Sequence, residues 1–112
     1  MSQPRPVYIP KTIGEVMDLL GSFMLSSPTF KDEYFSERTI DTEFYRLNEG
    51  LKLVRNRLGE DRYGKLIELS KRMRAHFEAD PEDKTEDAIK GRELILEMED
   101  LLKLRRSPKE IN

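Results

Sequence analysis

The residues of this chain best suited to chemistry lie between positions 76 and 87, in the stretch HFEADPEDKTED. It holds the only histidine, His76, and six carboxylates, Glu78, Asp80, Glu82, Asp83, Glu86 and Asp87, around a single Lys84. An imidazole close to carboxylates is the pairing used both for proton transfer and for metal ligation. A metal site would take His76 and Asp80, one helical turn apart. Two ligands do not hold a transition metal firmly, and the chain has no cysteine and no second histidine. A calcium loop needs glycine at its sixth position and an acid at its twelfth; counting from Asp83 gives Ala88 and Leu94, and from Asp80 gives Thr85 and Gly91. A di-iron bundle needs two Glu-x-x-His pairs, and Met73 stands three residues before His76. The glycines at 14, 21, 50, 59, 64 and 91 form no phosphate-binding loop. No metal, cofactor or enzymatic activity is expected.

Helix-start chemistry accounts for the stretch better. Asp80 can accept hydrogen bonds from free backbone amides, Pro81 suits a first helical turn, and Glu82, Asp83, Glu86 and Asp87 would sit against the positive end of a helix dipole. His76 is then a surface residue beside core Phe77. Dipole stabilisation fades within the first turn, so the density of acids exceeds what capping uses, and the six are candidates for binding a partner. A second candidate set is Phe30, Tyr34 and Phe35, which either plug the end of a helical bundle or anchor a partner.

Four apolar stripes supply the elements that must position these groups. Thr12 and Glu15 form a capping-box pattern ahead of Ile13, Val16, Met17, Leu20, Phe23 and Met24, which predicts a helix over about 13–25. Ser27 and Pro28 then read as a cap and first helical position for a short helix or a structured loop. Ile40, Phe44, Leu47, Leu51, Val54 and Leu58 predict a helix over about 40–58, ended by Gly59. Tyr63, Leu66, Ser70, Met73 and Phe77 predict one over about 61–78. Ala88, Gly91, Ile95, Met98 and Leu102 predict a last helix ending near Arg105. Phe44, Leu47, Leu51, Val54, Leu66, Met73, Ile95 and Met98 are the expected core.

No segment alternates with period two, so the expected fold is all-α: a single-domain antiparallel, up-and-down bundle of about four helices over 12–106. Residues 1–11, broken by Pro4, Pro6 and Pro10, are expected to form an extended Pro-rich arm unlike a signal peptide, and 107–112 a flexible tail. Five helical-pattern glycines, at 14, 21, 50, 64 and 91, suggest close helix approach or room for a partner.

Net charge is −2, but its sign changes along the chain: residues 46–77 carry nine Lys/Arg against four Asp/Glu, and 78–100 carry ten acids against three bases. Two oppositely charged helices side by side would explain this, as would a partner-binding face. With no cysteine and no long apolar run, a cytoplasmic protein away from membranes is expected. The function that fits is a non-catalytic helical module presenting the acidic 78–100 face to another, basic protein, for instance an immunity- or antitoxin-type inhibitor or a regulator. The alternative is nucleic-acid binding through Lys52, Arg55, Arg57, Arg62, Lys65, Lys71, Arg72 and Arg74 of the basic 51–74 segment, which the overall pI of about 5.5 disfavours. A second copy is a further candidate partner, because Ile89, Leu96 and Leu104 lie off the main stripe of the last helix.

Overall fold

The computed structural model describes residues 8–31 and 38–104. Among these residues the protein is helical, with no strand, in the order α1 (Ile13–Ser26), α2 (Ile40–Leu53), α3 (Arg55–Leu58), α4 (Glu60–Ala79) and α5 (Glu86–Lys103). None of these helices is long and apolar enough to cross a membrane. Among the four longer helices, α1 packs on α2 and α5, and α4 packs on α2 and α5; short α3 packs on α2 and α4. All eight expected core residues are buried between them.

Local sequence explains where the helices start. Thr12 accepts the Glu15 amide at 3.0 Å, as its capping pattern predicts. Glu15 reaches back in return, accepting the Lys11 amide at 2.9 Å as well as a bond from the Thr12 backbone. Val16, Leu19, Leu20 and Phe23 form the buried face of α1, with Leu19 taking the place expected of the exposed Met24. Thr39 and Thr42 cap α2 mutually, at 3.2 Å and 2.9 Å. The stretch expected to be one helix over 40–58 is divided at Val54, whose φ of −101° and ψ of 9° leave the helical region. The stripe survives the break, because Leu51, Val54 and Leu58 are all buried. Gly59, at φ 83°, then turns the chain into α4.

The segment after α1 takes the second of its two expected forms, a structured loop, over its described residues. Ser27 and Pro28 do not open a helix. The Ser27 amide instead closes α1 on the Phe23 carbonyl at 2.9 Å, and the chain turns so that the Phe30 amide reaches the Ser26 carbonyl at 2.8 Å. Phe30 is a core residue, buried among Phe23, Phe44 and Phe77 at ring-centroid distances of 4.8, 5.6 and 5.5 Å. It is not an exposed anchor. Tyr34 and Phe35, the rest of that candidate set, lie outside the described residues, as do most of the arm and the 107–112 tail. The described end of the arm lies on the helices: Arg46 donates to the Tyr8 carbonyl at 2.8 Å, and Pro10 is buried.

The helical glycines divide into two kinds. A Cβ on Gly91 would lie 2.4 Å from the Phe77 ring, and one on Gly50 would lie 3.2 Å from Pro10, so both permit close approach. Around Gly64 nothing lies within 4 Å. Gly91→Ala is therefore expected to destabilise by about 1–3 kcal/mol, because the ring that must shift is the fully buried Phe77. Gly64→Ala is expected to stabilise by about 0.5–1 kcal/mol through helix propensity alone. Denaturant midpoints of the two variants should move in opposite directions.

Candidate functional site

The acidic stretch joins α4 to α5, and its structure differs from the helix start read from the sequence. The helix begins at Glu86, capped by Thr85, whose hydroxyl oxygen accepts the Asp87 amide at 3.1 Å. Pro81, Glu82 and Asp83 precede it in a loop, so only Glu86 and Asp87 occupy the first turn. Asp83 has a φ of 57°, a left-handed conformation that aspartate tolerates better than most residues.

Asp80 organises this loop. Its buried carboxylate accepts the amides of Lys84 at 2.8 Å, Thr85 at 2.9 Å and Ala88 at 3.1 Å. It does accept free amides, as expected, but across the loop from the end of α4, and it is not available to a partner. Desolvation pushes its pKa up. The three amides and the Thr85 hydroxyl outweigh that and hold it below the ordinary carboxylate value. A depressed folded-state pKa means that the contribution to stability is full above the unfolded carboxylate pKa and is lost as pH falls through the folded value. Asp80→Asn should lower the melting temperature at neutral pH, and the gap from wild type should shrink as pH drops below the carboxylate range. A gap independent of pH would show that the ionised form is not what holds the loop.

Most of the other acids are also engaged within the chain. Asp83 receives Arg92 at 2.9 and 3.3 Å, and Arg92 also donates to the Ser27 hydroxyl at 3.0 Å and carbonyl at 3.2 Å. That clamp ties the loop to the end of α1 across 65 residues, and no local spacing announces it. Glu78 pairs with Arg74 at 3.1 Å and Glu82 with Lys84 at 2.8 Å. His76 Nδ1 lies 2.8 Å from Asp87, so His76 is a tie between α4 and α5 rather than the flanking surface residue expected. The pair lacks the order a nucleophilic triad requires. The nearby Thr85 hydroxyl sits 3.5 Å from Asp87, on the carboxylate side, whereas a nucleophile must face the other ring nitrogen. Among the described residues, Asp80 and Glu86 of the six make no ion pair, and of these two Asp80 is held by backbone amides.

Charge that is not engaged in this way lies further along α5. Glu86, Glu93, Glu97 and Asp100 make no ion pair among the described residues. They share the outward side of the helix with Ile89 and Leu96, which are 53% and 51% exposed. Between α4 and α5 runs a groove of about 510 Å³ lined by Lys65, Arg72, Glu97, Asp100, Leu101 and Leu104, among others. The basic 51–74 segment is partly committed. Arg62 donates to the carbonyls of Leu58 at 3.2 Å and Leu101 at 3.0 Å, Arg55 pairs with Glu60 at 2.7 Å, and Lys52 pairs with Glu49 at 2.9 Å. Arg74 is shared between Asp41 and Glu78. Sequence reasoning missed that Arg62 caps the end of α5, because the Leu101 carbonyl lies 39 residues away. With this geometry in hand, no protein-family model, curated protein or solved structure matches the chain.

Proposed function

We propose that this chain is a non-catalytic helical protein-binding module of the cytoplasm, which docks a basic partner protein on the outer face of α5. The observation that carries the proposal is the combination there of unpaired carboxylates, Glu86 and Glu93, with the half-exposed aliphatic side chains of Ile89 and Leu96. An apolar centre with a charged rim is the composition of a protein interface, and the rim charge chiefly sets association rate and partner choice. An immunity- or antitoxin-type inhibitor is one concrete form of such a module. The reading moves the acidic face from the 78–87 loop, whose carboxylates mostly serve the chain itself, to the helix that follows it.

The scaffold assumed in this proposal is an antiparallel, up-and-down bundle of the four longer helices, with residues 8–11 laid against α1 and α2. The contacts favour it. Pro10 at the start of α1 meets Gly50 near the end of α2, Asp41 at the start of α2 meets Arg74 near the end of α4, and Arg62 near the start of α4 meets Leu101 near the end of α5.

The test replaces Ile89 with a photo-cross-linking phenylalanine in the source cell. A discrete protein adduct is expected, which is lost in Glu86→Lys/Glu93→Lys and absent when the same probe stands at the exposed Tyr45 on α2. With the purified partner, charge reversal should slow association, and salt should slow the wild type in the same way, since screening acts beyond about 8 Å at physiological ionic strength. No adduct from Ile89, or equal adducts from both positions, would refute the assignment. Salt-sensitive binding to generic duplex through the bases left unpaired, such as Arg57 and Lys71, would replace it with the nucleic-acid reading.

A further inference from the structure

The groove between α4 and α5 has walls of different charge. Lys65 and Arg72 stand on the α4 side, Glu97 and Asp100 on the α5 side, and Leu69 and Leu101 lie between them. Opposite charges that line one groove would ordinarily be expected to pair across it. Here none of the four makes an ion pair among the described residues. Beside them Leu104 is 58% exposed. The surface therefore carries both halves of a charge-complementary contact, left unjoined, around an apolar strip.

We infer that this groove is the contact face of a weak, two-fold symmetric dimer of the chain. This goes beyond the binding role proposed around Ile89 and Leu96, because it uses the edge of α5 that borders α4 together with α4 itself, and it is tested separately. Charge selects the arrangement. Arg62 near the start of α4 reaches the end of α5, and His76 near the end of α4 reaches Asp87 at the start of α5, so the two helices run in opposite directions. Two such faces can be brought together by a two-fold axis lying in the contact plane, either across the helices or along the groove. The first stacks α4 on α4 and sets Lys65 and Arg72 against their own copies. The second stacks α4 of one copy on α5 of the other, so that Lys65 and Arg72 meet Glu97 and Asp100 twice over, which is the self-complementarity an isologous interface requires. Glu68, the one acid on the α4 wall, works against this contact without reversing its sign.

Size sets the expected strength. About 20 Å of helix length and a width of about 20 Å for two packed helices give roughly 400 Å² per copy. That falls below the roughly 1,200 Å² total at which standard interfaces begin, so the dimer is reversible and salt-sensitive.

Sedimentation equilibrium at low salt, from about 10 µM to about 1 mM, tests the inference over the range of weak affinities. The full-length wild type should shift from monomer to dimer with concentration, and less so as salt rises. Lys65→Glu/Arg72→Glu makes both walls acidic, and Glu97→Lys/Asp100→Lys makes both walls basic. Each variant should self-associate about a hundredfold more weakly, since like charges then face each other. Mixed in equal amounts, the two should form a heterodimer near wild-type strength. Unfolding does not mimic that rescue, and circular dichroism melts establish that each variant is folded. A wild type that stays monomeric throughout assigns the groove to a different protein or to residues 105–112 and overturns the inference, as does a mixture that shows no heterodimer. Neither result alters what cross-linking at Ile89 reports.

Discussion

Phe30→Ala should destabilise the protein by about 3–5 kcal/mol, the usual cost of removing a fully buried aromatic ring from a site that cannot collapse. Three rings surround this one edge-on or nearly so, each from a different helix: Phe23 of α1, Phe44 of α2 and Phe77 of α4. Removing Phe30 leaves a cavity lined by side chains that are themselves fully buried and fixed by one another. Edge-to-face pairs also add about 0.5–1.5 kcal/mol each beyond the area they bury. The backbone provides a finer test. Phe30 sits at φ 63°, a left-handed conformation that costs a residue with a Cβ about 1–2 kcal/mol and costs glycine almost nothing. Phe30→Gly should therefore be no less stable than Phe30→Ala, although glycine is smaller and frees the unfolded chain more. If alanine proves clearly the better tolerated, the left-handed turn is not what the packing of Phe30 maintains. Denaturant midpoints of the two variants decide the matter.

Leu51→Ala should cost about 2–5 kcal/mol, whereas Leu53→Ala should stay within about 0.5 kcal/mol of wild type. The same residue type stands at both positions of one helix. Leu51 is fully buried, and Leu53, two residues on, is 60% exposed. Two residues along a helix are about 200° apart around its axis, so one face cannot hold both. The contrast tests the register of α2 directly: equal losses, or a larger loss at Leu53, would mean that the helix presents a different face to the core. It also bears on the break at Val54, since Val54 and Leu58 continue the same buried stripe into α3.

The sequence alone determined the helices and their buried faces. Apolar residues at intervals of three and four leave one face of each helix that water disfavours, and that pattern is local, so Phe44, Leu47 and Leu51 of α2 and Leu66, Met73 and Phe77 of α4 could be read from spacing. The cap at Thr12 was legible for the same reason, because its bond to Glu15 spans three residues. Where the chain departs from regular helix, spacing failed. Thr85 rather than Asp80 and Pro81 starts α5, because Asp80 can satisfy the amides of Lys84, Thr85 and Ala88 only once the loop has folded back over it. Tertiary structure alone decided which charges remain available. Counting acids in 78–87 suggested a free anionic face, but Arg74, Lys84 and Arg92, His76 and three backbone amides neutralise or bind most of it, and two of these partners, Arg92 and His76, lie 9 to 11 residues from their carboxylates. Ion pairs and desolvation depend on distance in space rather than along the chain, so a run of like charges in sequence does not define a charged surface until the fold has placed its partners. Exposure of Ile89, Leu96 and Leu104 is the converse case. The spacing showed that they lie off the core stripe, and only the packing of α1 and α4 on α5 showed that nothing among the described residues covers them fully.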